Sequence, residues 1–340
     1  MRTRTLVLAA VVALALLIPP AQIALAAQSA PATQKSAPPA QKSVPAAQKS
    51  APAVQKGAPF GPQPGVQGSR NPTDLKTILY YAADALGMLR GAREEDGILT
   101  MQIWATGTMN VGGQPCKLAS YIAGIRYAIT ARQKVPVPAM RVDFACAGAN
   151  GRPGPRQIQV VADRFAWNET KPGMNATPAP GAANERALQL WTMIPESVIK
   201  AALAAGANTK VTTEGAAVVL TFPLPAPFET ATMKATLNPK IFRVDQNPAG
   251  VKREFSHLID RTETRFGSVI ETTYADYGDW NEADLKSMIL LPRHIVQKQG
   301  GVTLLDLTIT KTDTYNPYVI MPLPESMKSA ATQQPAAPRQ

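Results

Sequence analysis

Glu229-Thr230-Ala231-Thr232-Met233-Lys234-Ala235-Thr236-Leu237 decides the class of fold. Ala231, Met233, Ala235 and Leu237 fall on one side of a period of two; Thr230, Thr232, Lys234 and Thr236 fall on the other. That alternation describes a strand with one buried and one solvated face. Asn238-Pro239-Lys240 reads as a turn into a second strand over 241–245, which makes a hairpin. Leu305, Leu307 and Ile309 alternate with Asp306, Thr308 and Thr310 in the same manner. Upstream, residues 98–108, 118–130, 140–146 and 157–167 are runs of β-formers divided by Gly, Pro and Asn clusters. Two helices interrupt the pattern. The first opens at Asn71-Pro72-Thr73, which supply capping residues, and carries Leu75, Ile78, Leu79, Ala82, Leu86 and Leu89 at helical spacing. In the second, Pro195 occupies a first-turn position, Val198, Ile199, Ala202 and Leu203 form a stripe, and Gly206 ends it. Residues 169–184, rich in Pro, Gly and Ala, read as the longest irregular piece. The expected class is α+β with an antiparallel sheet. Alternating βα units are missing, which counts against a dinucleotide-binding sheet.

The chain begins with a basic Met1-Arg2-Thr3-Arg4, an apolar run from Leu6 to Ile18, and then Ala24-Leu25-Ala26. Charged, apolar and small residues in that order describe a secretory signal, cleaved after Ala26. As a membrane anchor the run falls short of the roughly 20 residues a span needs, and Pro19-Pro20 closes it. The reading is therefore a periplasmic or secreted protein that does not span the membrane after cleavage. From Ser29 a seven-residue unit repeats as SAPATQK, SAPPAQK, SVPAAQK and SAPAVQK. A proline in every unit excludes a coiled coil, because proline removes a helix donor and clashes with the preceding turn. The expected organisation is a signal peptide at 1–26, an extended disordered linker at 27–69, a globular domain at 70–327 and a disordered tail at 328–340.

The formal charge of +11 is unevenly placed. Arg2, Arg4, Lys35, Lys42, Lys49, Lys56, Lys328 and Arg339 lie outside the globular segment in stretches without acids, leaving +3 between Gly57 and Met327. A net charge of that size says little about partners. No strand face interleaves basic residues with aromatics, so no nucleic-acid partner is expected, and the lysine-dotted linker could touch an anionic envelope surface weakly. Cys116 and Cys146 are the whole cysteine complement. In an oxidising compartment such a pair reads first as a structural disulfide and second as two buried thiols.

Catalytic patterns are sparse. His257 and His294 belong to no clustered ligand motif, and His294 reads as a strand residue. Ser197-Val198-Ile199-Lys200 matches the Ser-x-x-Lys of penicillin-recognising enzymes. The companion elements are missing, so Ser197 and Lys200 read as exposed residues of an amphipathic helix. Asp276, Asp279, Glu282 and Asp284 cluster in what reads as a solvated inter-strand loop, without the spacing of a calcium loop. Asn168-Glu169-Thr170 and Asn175-Ala176-Thr177 fit the glycosylation sequon. No catalytic, metal or cofactor residues are assigned, and no cofactor is expected.

Several stretches resemble a known family. They are residues 190–200, the segment 236–244, Glu271-Thr272-Thr273-Tyr274-Ala275-Asp276-Tyr277-Gly278-Asp279-Trp280, and Leu291-Pro292-Arg293-His294-Ile295-Val296-Gln297-Lys298-Gln299-Gly300-Gly301. Together they are similar to the periplasmic lipoprotein-carrier (LolA-like) superfamily. The likeness covers the last half of the domain and, more weakly, its opening helix and first strand. Extra residues between Trp280 and Pro292 and an enlarged loop over 171–181 depart from it. The resemblance implies a curved antiparallel sheet, a half-open barrel covered by a few helices, whose concave apolar face shelters a greasy ligand. The expected function is then a non-catalytic carrier for a lipid or an acylated protein. A cell-envelope scaffold with a filled core is the alternative, and an envelope hydrolase a remote one.

Overall fold

The alternating stretches do belong to one antiparallel sheet. The computed structural model describes residues 74–90, 95–127, 138–247, 250–280, 289–314 and 321–327. The leader, the repeat tract, the tail and the capping triplet Asn71-Pro72-Thr73 lie outside them. Helix α1 spans Leu75–Ala85 and is capped by Asp74, whose carboxylate accepts from the Thr77 N–H at 2.8 Å. Its stripe of Ile78, Leu79 and Ala82 is buried. A small separate ladder follows, β1 (Leu89–Arg90) against β2 (Glu95–Asp96). Leu89 therefore belongs to a strand, not to the helix.

The main sheet begins with β3 (Thr100–Val111), β4 (Gln114–Arg126) and β5 (Ala139–Ala147). It continues with β6 (Pro153–Ala162), β7 (Phe165–Glu169) and β8 (Thr177–Pro178). The run expected as one strand over 157–167 is thus two, β6 and β7, reversed at Asp163 with φ 53°. Helices α2 (Ala183–Thr192) and α3 (Pro195–Ala205) come next. Strands β9 (Lys210–Glu214), β10 (Ala217–Pro223), β11 (Thr232–Asn247) and β12 (Gly250–Phe266) continue the chain. The last three are β13 (Ser268–Asp279), β14 (Leu290–Gln299) and β15 (Val302–Asp313).

Thirteen strands form the open sheet in the order β8-β7-β6-β5-β4-β3-β15-β14-β13-β12-β11-β10-β9. The chain starts in the middle, meanders to one edge, crosses through α2 and α3 to the other edge, and meanders back until β15 pairs with β3. Helix α2 packs on β5 and β6, α3 on β10, and α1 on β12 and α3. One continuous core joins all three helices to both meanders, from Ile103 and Phe144 to Met233, Ile295 and Leu307. On β6 the alternation serves two cores. Val161 faces the main one, while Ile158, Val160 and Ala162 join Trp167, Met321 and Met327 in a smaller cluster.

Two expectations change. Asn238-Pro239-Lys240 is not a turn: β11 runs through it, and its partner β12 begins only at Gly250. Register shifts at Thr236/Leu237 and Ile241/Arg243 flank the proline, which is how a strand accommodates a residue that cannot donate to the ladder. The acidic cluster is likewise no loop where it is described, because Asp276 and Asp279 lie in β13. Glu282 and Asp284 are outside the described residues. Among the described residues no helix is long and apolar enough to cross a membrane.

Cys116 and Cys146 are bonded across β4 and β5, with Cα atoms 5.4 Å apart and a sequence separation of 30. By chain entropy such a loop contributes roughly 3 to 4 kcal/mol. The double variant C116S/C146S should lose about that much in a urea titration, and an unchanged midpoint would show that the sheet alone holds this register.

Candidate functional site

The polar residues of α3 are its unusual feature. Helical spacing puts Glu196, Lys200 and then Leu203 and Ala204 along one side. The helix carries a proline in its first turn and ends at Gly206, whose φ of 52° suits a residue without a β-carbon. Glu196 and Ser197 are fully buried, and the Lys200 side chain is only 10% exposed. The expectation of an exposed serine and lysine is therefore overturned. The first two turns of the helix are covered by α2, β10 and the Asp96 segment, while Ala204 near its end stays exposed.

Each group has a distinct partner. The Lys200 ammonium pairs with the Asp96 carboxylate, donates to the Ile98 carbonyl at 2.8 Å, and stands 4.5 Å from the centroid of the Tyr127 ring. Burial lowers the Lys200 pKa, and the neighbouring Asp96 charge opposes that shift. The Ser197 hydroxyl shares a 2.7 Å hydrogen bond with the Tyr127 hydroxyl. Serine and lysine are thus each engaged elsewhere, and the serine is shut away from any substrate carbonyl. Neither carboxyl oxygen of Glu196 meets a hydrogen-bond partner. Burial pushes its pKa up to about 8, with nearby Lys200 pulling it down and Asp96 raising it.

A cavity of about 350 Å³ opens beside this row. Lys200, Leu203 and Ala204 of α3 form one wall, Trp191 of α2 another, and Leu99, Tyr127, Pro138, Pro225 and Ala226 most of the rest. Apart from the Asp96–Lys200 pair the lining is apolar or aromatic. A second cavity, also about 350 Å³, lies between α2 and the strands near Met109 and Leu305. Its walls carry Asn110, Gln159, Glu185, Arg186, Gln189 and Gln297. Arg186 is already committed, donating to the carbonyls of Val160 and Trp167 and to the Asn168 side chain. The first cavity is the better shelter for an apolar group.

The helices above these cavities are pinned to the sheet at Thr192. Its carbonyl accepts from the Tyr274 hydroxyl at 2.7 Å and from Gln297 at 3.3 Å, and its hydroxyl accepts from Gln297 at 2.9 Å. Tyr277 donates to the Ile259 carbonyl and Trp280 to that of Leu291. Arg293 lies over the Trp280 ring at 4.8 Å, and a side chain at Gly278 would collide with its guanidinium. The Tyr-Ala-Asp-Tyr-Gly-Asp-Trp stretch is therefore a set of anchors.

The other candidates do not gather here. His294 pairs with Asp306 at 2.8 Å on a half-exposed part of the sheet, and His257 lies in β12 in register with Pro239. Asp276 is exposed, and Asp279 accepts from the Ile289 N–H. Asn168 receives Arg186, while exposed Asn175 donates to Thr170. Among the described residues no three His, Cys, Asp or Glu side chains converge as metal ligands would. No family model and no curated protein matches the chain.

Glu196 makes stability depend on pH. It ionises near 4.5 when unfolded and about 8 when folded, so the folded chain holds the extra proton between those values. Stability is then full below about 4.5 and falls as pH rises towards 8. Glu196→Gln should flatten that decline, raising the urea midpoint at pH 8 relative to wild type but not at pH 4. Parallel pH profiles for the two proteins would refute this account of the buried acid.

Proposed function

We propose that this is an exported, non-catalytic binding or carrier protein whose ligand is hydrophobic, a lipid or an acylated protein. The observation that carries the reading is the apolar cavity beneath α3 and Trp191. Its size falls in the usual range for small-ligand sites, roughly 300 to 1,000 Å³. Each methylene moved into it from water is stabilised by about 0.8 kcal/mol, so binding needs no chemistry from the walls. The topology is in keeping with a LolA-like domain. An open sheet whose two halves feed one helix-covered core is compatible with the half-open barrel the resemblance implies. The disulfide fits an oxidising compartment, and with the signal-like leader it supports a periplasmic or secreted location.

Native mass spectrometry of the protein purified from its own envelope, followed by lipid extraction, tests this directly. A stoichiometric apolar ligand released on unfolding is expected. The neutral dye N-phenylnaphthylamine should bind and brighten, and Ala204→Trp, which fills the cavity, should weaken it by roughly tenfold or more. A clean apo mass with no dye uptake would leave the tethered envelope scaffold as the better account.

A further inference from the structure

The charges at the cavity wall bear on what kind of head group its ligand carries. Asp96 and Lys200 are the charged residues lining the cavity, and they pair with one another. The ammonium sits inside, its side chain 10% exposed, while the carboxylate sits nearer the water at 27%. Asp96 is held in turn, since its other oxygen accepts from the Ile98 N–H at 3.1 Å. An ammonium has three donors. Those of Lys200 are placed on Asp96 and on the Ile98 carbonyl, and the ammonium faces the Tyr127 ring at 4.5 Å. The remaining nearby acid, Glu196, is fully buried with no hydrogen-bond partner for either carboxyl oxygen, an environment that favours its neutral form. Among the described residues the cavity wall thus carries one positive and one negative charge, paired with each other.

We propose that the Asp96–Lys200 pair is a specificity filter: the cavity admits an acyl chain ending in a neutral carbonyl, an ester or an amide, and rejects the free fatty acid. The inference rests on the carrier reading above. A neutral carbonyl enters beside the pair without adding a charge to it. A free carboxylate adds a negative charge that no unpaired cation among the described lining residues offsets, and a buried charge without a counter-ion is costly. Removing the Asp96 charge reverses the situation, because the buried ammonium then lacks a counter-ion and the acid supplies one.

The test is a displacement titration of the full chain with lauric acid, methyl laurate and N-methyllauramide at neutral pH. Both neutral compounds should bind wild type at least about tenfold more tightly than the acid. The tighter of the two identifies the source, a lipid for the ester or an acylated polypeptide for the amide. In Asp96→Asn the order should invert, with the acid gaining about tenfold. Asp96→Ser, which keeps an oxygen acceptor for the Ile98 N–H, serves where the asparagine variant does not fold. Wild type that binds the acid as well as the ester overturns the filter and leaves the carrier intact. So does an order unchanged in a folded Asp96 variant. Failure of all three compounds to bind would instead sink the carrier reading itself.

Discussion

The seam between β3 and β15 holds the two halves of this protein together. Met109 to Gln102 pair antiparallel with Leu305 to Asp313, and the Thr310 hydroxyl donates to the Trp104 carbonyl at 3.2 Å. Lys311 lies over the Trp104 ring at 4.5 Å. At the heart of the seam, Gly107 has a φ of 138°, and a β-carbon there would lie 2.0 Å from the Asp306 carbonyl oxygen. Two meanders that each leave an open edge become one sheet only through this contact. The helices rely on it, because α2 rests on β5 and β6 from the first meander and α3 on β10 from the second.

The buried polar groups divide between those that fasten and those that cost stability. Thr192, Tyr274 and Gln297 satisfy one another, Arg186 donates to the Val160 and Trp167 carbonyls and to Asn168, and both sets fix the helices over the sheet. Glu196 does the opposite, burying a carboxyl with no partner. A fold that tolerates such a cost beside an apolar cavity departs from the rule that buried polar groups are paired. Departures of that kind concentrate near sites of function.

Much of the fold was legible because strands advertise themselves by period. Ala231, Met233, Ala235 and Leu237 are all fully buried, as Leu305, Leu307 and Ile309 are nearly so. Helix α3 was marked by Pro195 and Gly206. Helix α2 was missed, since its N-cap is Ala182, which makes no side-chain cap bond, and it emerges from a Pro/Gly-rich stretch. The proline in β11 misled because its register shifts depend on a partner strand that local sequence does not reveal. The site was harder still. Helical spacing puts Glu196 and Lys200 on one side of the helix, but Lys200 is buried by Asp96 and Ile98, more than a hundred positions away.

The same seam has a consequence for how the molecule is made. Thr310 and Trp104 are 206 positions apart, and contacts of such separation are slow to form because loop-closure entropy is lost before they reward it. The first long strand emerges early and then waits, one edge unpaired, until nearly the whole chain has followed. The half-made sheet is the species most open to pairing with a neighbour. A chain laid out in this way completes its sheet only after its last strand arrives.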